Sequence, residues 1–149
     1  MARSVHDNFI VSYEVHCERR EIRLHTEYRD RGEPFERTVV VFTGVEAYSF
    51  QHDCLGNIIF DIEEVPAESI LTQHRAQFEE GCRVAGWPRF WQKSLDPARR
   101  YLHEQATRGF ELSSSYGMSG WILARDMQMF DGDGHVVNKP VEPTAPPRS

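Results

Sequence analysis

A chain of 149 residues has the size of one domain, and with 40% hydrophobic and 27% charged residues it carries enough apolar surface to offset chain entropy. That excludes a disordered chain, while apolar runs of no more than four or five residues, such as 38–42, exclude a spanning helix of ~20 residues. Lys and Arg number 17 against 23 Asp and Glu, and the resulting net charge of −6 argues against nucleic acid and membrane phosphates as partners.

The excess acid lies in the first half of the chain. Residues 46–80 hold Glu46, Asp53, Asp61, Glu63, Glu64, Glu68, Glu79 and Glu80 against Arg75 alone, whereas residues 83–108 hold Arg83, Arg89, Lys93, Arg99, Arg100 and Arg108 against Asp96 and Glu104. Such segments neutralise each other across a compact domain or leave a bipolar surface, the acidic side of which steers a basic partner. The first residues show no apolar signal segment, and Cys17, Cys54 and Cys82 are odd in number with no C-x-x-C spacing. A cytoplasmic protein with reduced thiols is the expectation.

Alternation from Phe9 through Val11, Tyr13 and Val15 to Cys17, with Ile10 the exception, predicts a half-buried strand, and Ile22, Leu24, Thr26 and Tyr28 predict its hairpin partner. With a turn near 18–21, Cys17 would face Ile22, Val15 Leu24, Tyr13 Thr26 and Val11 Tyr28, placing Glu14, His16 and His25 together on the opposite face. After the turn cluster 30–34, a third strand is predicted over 35–43. A second hairpin is expected over 45–52 and 57–64, around Cys54-Leu55-Gly56. It would set Phe50 opposite Phe60 and Tyr48 opposite Ile62, with Ser49, Gln51, Ile59, Asp61 and Glu63 on the other face.

Ile70, Leu71, His74, Phe78 and Cys82 keep helical spacing, so one amphipathic helix is predicted over 67–85, closed near Gly81 or Gly86. Ser94 or Asp96 before Pro97 marks the start of a second helix running to about Thr107, stopped by Gly109. A closing hairpin over 110–116 and 121–130 follows, around Gly117-Met118-Ser119-Gly120. The order βββββααββ defines an α+β fold: one domain over 1–138, a largely antiparallel sheet of about seven strands with two helices on one face, then a proline-rich tail over 139–149 expected to be disordered.

No motif in the chain carries catalysis. Asp131-Gly132-Asp133-Gly134-His135 resembles the opening of a calcium loop, but an EF-hand needs Gly at its sixth position, where Val136 stands, and an oxygen ligand where His135 stands. A turn is the expectation there. The seven histidines include no H-x-x-x-H pair, and although a His₂Glu site from Glu14, His16 and His25 is imaginable, an exposed strand face lacks the supporting groups that orient ligands. No metal and no cofactor are expected. His52-Asp53-Cys54 beside a turn suggests an activated thiol, but a structural cysteine is the expectation there. Gly117-Met118-Ser119-Gly120 is not the G-x-S-x-G elbow of hydrolases. Trp87, Phe90 and Trp91 among arginines match a base-stacking surface, but three clustered aromatics more often close a core edge.

By elimination, the sequence points to a small acidic protein without catalytic activity that binds a basic protein partner, as an inhibitor or a toxin-immunity-type antidote does. The expected partner-binding residues are Glu14, Ser49, Gln51, Asp61 and Glu63. The rival is a small hydrolase or ligand-binding enzyme with a carboxylate and histidine pocket built from Glu14, His16, His25 or Asp61. Convergence of those side chains in a deep pocket favours the enzyme, and a flat acidic patch favours binding.

Overall fold

A computed structural model describes residues 3–137, so the tail expected over 139–149 lies outside the described residues. The elements are β1 (Phe9–His16), β2 (Glu21–Tyr28), β3 (Glu36–Thr43), β4 (Ala47–Gln51), β5 (Asn57–Val65), α1 (Ala67–Gln73), α2 (Arg75–Ala85), α3 (Leu95–Glu104), β6 (Arg108–Tyr116), β7 (Ser119–Ala124) and β8 (Asp126–Asp131). The class is α+β with an antiparallel sheet, as expected, but with eight strands and three helices rather than seven and two. No helix among the described residues is long and apolar enough to cross a membrane.

Both extra elements come from interruptions that carry no strong breaker. The predicted helix 67–85 leaves helical geometry at His74 (φ −109°, ψ 24°) and resumes at Arg75, so α1 and α2 pack separately; α2 ends at Gly86 in the left-handed region (φ 63°). The predicted strand 121–130 divides at Arg125. The last helix stops at Glu104, short of Thr107, with Ala106 at φ 53°, and Gly109 already belongs to β6.

The strand order is β4-β7-β6-β5-β1-β2-β3-β8. The expected hairpin of β4 with β5 does not form: β4 pairs with β7, Phe50 facing Gly120, and β5 pairs with β6 and, at Phe9 and Ile10, with β1. The β1–β2 hairpin forms two residues away from the expected register, with Val15 opposite Ile22 and Tyr13 opposite Leu24. A slip of two keeps every side chain on its face. A bulge between Ile10 and Ser12 then turns Ile10 inward and leaves Val11 exposed.

The two ends of the strand order belong to one bent pair. β3 continues through Gly44 into β4, and β7 through Arg125 into β8, so Thr43 faces Asp126 and Ala47 faces Leu123 in nearly unbroken register. Across the bend, Arg125 N–H donates to the Thr43 carbonyl (3.0 Å) and Glu46 N–H to the Leu123 carbonyl (2.8 Å). Gly44 has φ +62°, and a Cβ there would lie 2.9 Å from Arg125 Cβ, so the corner needs glycine. The sheet therefore curls back on itself around an inner core that includes Ile22, Leu24, Phe42, Ile59, Ile62, Phe110 and Ile122. Ile59 belongs to this core, fully buried, and not to the polar face expected for it; the β5 bulge that brings it inward leaves Phe60 54% exposed.

A second core lies outside the curl. Ala47, Trp121 and Leu123 on the outer face of β4 and β7 pack against Ile70, Leu71, Phe78 and Leu102 of the helices and against Phe90 and Trp91. Helix α1 comes so close to β6 that a Cβ on Gly109 would sit 2.7 Å from Ile70 Cδ1. Trp87, Phe90 and Trp91 thus close a core edge around Phe78, which stacks on Trp91 at 5.3 Å and on Trp87 at 5.6 Å between ring centroids.

Candidate functional site

Cross-strand partners point to the same side of a sheet, and this places four of the sequence-predicted residues. Glu63 faces Glu111, Glu111 faces Trp121, and Trp121 faces Ser49, forming one row across β5, β6, β7 and β4. Asp61 faces Ser113, and Gln51 faces Ser119, in the next row. Ser49, Gln51, Asp61 and Glu63 therefore share the outer face, the one on which the helices sit. The helices cover its β4–β7 half and leave Glu63 in solvent.

Where the cover ends, a pocket of about 220 Å³ opens between β4, β6, β7 and α2, lined by Ser49, Gln51, His74, Gln77, Glu111 and Trp121 among others. The Trp121 indole N–H donates to Gln77 Oε1 (3.3 Å), and Gln77 Nε2 donates to Ser49 Oγ (2.9 Å), so one amide ties sheet to helix. His74 lies 5.8 Å from Trp121 between ring centroids. Burial holds the His74 imidazole below its ordinary pKa, against the opposing pull of Glu111. Among the described residues no hydrogen bond joins His74 to a serine hydroxyl, so this is not an assembled triad.

Glu63 and Glu111 stand directly opposite each other with no cationic partner within 4 Å among the described residues. The other acids of the 46–80 segment are mostly neutralised. Glu46 pairs with Arg20, Glu64 with Arg108, Glu68 with Arg99, Glu79 with Arg75 and Glu80 with Arg83. Asp53 instead accepts hydrogen bonds from Asn57 Nδ2 (2.8 Å), Leu55 N–H (2.8 Å) and the Tyr13 hydroxyl (3.0 Å), which hold its carboxyl below the usual range. Asp61 Oδ1 accepts from Ile62 N–H at 2.9 Å.

Glu14 is on β1, away from this row. Its Oε2 lies 3.1 Å from His25 Nε2 and 3.6 Å from His16 Nε2, and the His25 contact in particular lowers its carboxyl pKa. The three groups meet as expected on the strand face; Glu14 is exposed, and of the three only His16 reaches the rim of a cleft. Asp131 Oδ1 accepts from the N–H groups of Asp133 and His135, both at 2.9 Å, forming the expected turn; the three side chains lie close enough to share an ion, at an exposed place. The Cys54 thiol points at the His52 carbonyl (3.4 Å), not at its imidazole.

A larger cleft, about 480 Å³, takes in His16 of the sequence-predicted residues but not Glu14, His25 or Asp61. It lies between the β1–β2 turn, the β3–β4 bend and the segment joining α2 to α3, with Val15, Ile22, Val45, Tyr48, Trp87 and Phe90 on its walls. The side chain of Glu46, 8% exposed, is held by the Tyr101 hydroxyl at 3.2 and 3.1 Å to its two oxygens and by Arg20 Nη1 at 3.3 Å. Desolvation and the Glu46 charge raise the Tyr101 pKa, so the phenol remains the donor. Glu46, Tyr101, Arg20 and Arg89 lie far apart in sequence, and only the bend and the helix loop bring them together.

Searches of family models, curated proteins and solved structures found no match to this chain.

Proposed function

We propose that the chain is a non-catalytic interaction protein that docks a basic protein partner through the outer face of β5 and β6, in the manner of an inhibitor or immunity-type antidote covering a cationic site. One observation carries this reading: Glu63 and Glu111 oppose each other across the ladder with no cation between them among the described residues. Like charges directly opposite destabilise a sheet, and a cationic side chain from a partner would relieve that cost. Asp61 extends the face, and Ser49 and Gln51 border the adjoining pocket as hydrogen-bonding groups. Glu14, already shared between two imidazoles, lies outside this surface. Its carboxylate is exposed, which fits binding better than a pocketed acid–base pair. Residence in the reducing cytoplasm fits the free Cys17, Cys54 and Cys82.

The test uses an immobilised octa-arginine peptide at low salt. Glu63→Gln/Glu111→Gln should slow association and flatten its salt dependence, because steering charges act on the on-rate. Glu18→Gln/Glu33→Gln, which changes net charge equally at another part of the surface, should leave most of the association rate. Equal effects of the two double variants would refute the proposed surface.

A further inference from the structure

The cleft beside Glu46 has the size and the mixed lining of a small-molecule site, since such sites span roughly 300–1,000 Å³ with apolar walls and a few polar groups. The charges at its edge decide what fits. Each carboxylate there is already committed within the fold. Glu46 is held by Tyr101 and Arg20, and Glu21 Oε2 by Arg23 Nε at 2.8 Å and Arg19 Nη2 at 3.4 Å.

The guanidinium groups are not matched in the same way. Arg89, exposed on the segment between α2 and α3, makes no hydrogen bond or ion pair among the described residues. Arg20 is half-committed: it pairs through Nη1 with Glu46 and also reaches the Tyr101 hydroxyl, while its side chain stays 53% exposed at the rim of the cleft. Its backbone holds it in place: φ is 51°, an uncommon region for a residue with a Cβ, and its carbonyl accepts from Val45 N–H at 3.0 Å. Among the described residues the one uncommitted charge at this apolar cleft is thus Arg89, with the exposed guanidinium of Arg20 beside Glu46 as a second donor, and an arginine's planar fork matches carboxylate geometry.

We propose that this cleft, walled by Trp87, Phe90 and Tyr48 and edged by Arg20 and Arg89, binds a small amphipathic carboxylate, its apolar body inside and its anionic head on the two guanidinium groups. This site is separate from the acidic face of β5 and β6 and stands or falls independently of it.

Titration calorimetry of the full chain with decanoate, below its micellar range, tests the assignment, with decyltrimethylammonium as the cationic counterpart of equal chain length. Saturable decanoate binding is expected, at least about tenfold tighter than the ammonium, as one charge-assisted contact implies. The Trp87 indole N–H resonance should shift as decanoate is added. Arg89→Glu, at an exposed position that bears no structural contact, should weaken decanoate about tenfold or more while the melting temperature holds. Equal affinity for the two amphiphiles, an unshifted Trp87, unchanged affinity in Arg89→Glu, or the lack of saturable binding would each overturn the proposal.

Discussion

Phe42 on β3 and Phe110 on β6 belong to strands that share no ladder, yet their rings meet edge to face with centroids 5.4 Å apart. Only a sheet curled around its own inner face allows that contact. Both side chains are essentially fully buried. Phe110→Ala should therefore cost about 3–5 kcal/mol, the range for large-to-small changes in a close-packed core. Phe60→Ala, at a ring 54% exposed, should cost less than about 1 kcal/mol. Denaturant midpoints read both, and similar losses would contradict the outward placement of Phe60.

Asn57 is the polar pin of the structure. Its Oδ1 accepts from Cys54 N–H at 3.0 Å and from Met118 N–H at 2.8 Å, joining the loop before β5 to the turn between β6 and β7. Asn57→Ala leaves the buried Met118 N–H without its acceptor and should cost about 2–3 kcal/mol. Asn57→Asp keeps the acceptor but sets a second carboxylate against Asp53, to which Asn57 Nδ2 now donates. It should be destabilised most above the carboxylate range and recover partly in acid, as unfolding at two pH values would show.

His74 sets a pH dependence whose sign follows from burial. The folded protein holds the neutral imidazole, so its pKa lies below the ordinary 6.5 of the unfolded chain. Above 6.5 neither state takes the proton and stability is at its full value. As pH falls through 6.5, the unfolded state gains a proton that the folded state resists, and stability declines until the folded group titrates. His74→Gln should flatten that part of a stability profile; an unchanged slope would place the titrating group elsewhere.

Removing either member of the opposed glutamates should stabilise the protein. Glu63→Gln and Glu111→Gln are each expected to raise stability by a few tenths of a kcal/mol, with the double variant adding little more, because the first change already abolishes the repulsion. A double-mutant cycle on thermal unfolding measures this coupling directly. Independent, additive losses would mean that each carboxylate has a favourable contact of its own.

The β1–β2 alternation shows which residues face inward but not the register, because moving the pairing of Val15 from Leu24 to Ile22 changes no side chain's face. The β4–β5 hairpin looked equally consistent, yet apolar alternation in Tyr48, Phe50 and Ile62 says nothing about which strand lies beside which, and β7 takes the place of β5. The break at His74 leaves no trace in the spacing of Ile70, Leu71 and Phe78. For the proposed face, alternation put Ser49, Gln51, Asp61 and Glu63 on one side, but through a β4–β5 pairing that does not form and with the buried Ile59 among them. Glu111 was not legible, since its meaning depends on standing opposite Glu63, and Arg89 was not, since its significance is the lack of a partner.

The bend at Gly44 and Arg125 also bears on how this protein can meet another. The outer side of β8 is occupied where Val137 N–H donates to the Met129 carbonyl at 2.9 Å, whereas β1 and β4 meet only through side chains, the Tyr13 and Phe50 rings with centroids 5.6 Å apart. On β8 this interrupts the bare row of amides and carbonyls, the template on which foreign strands add and fibrils grow. An extended chain added at that edge would have to displace the segment around Val137 before its own backbone could pair there.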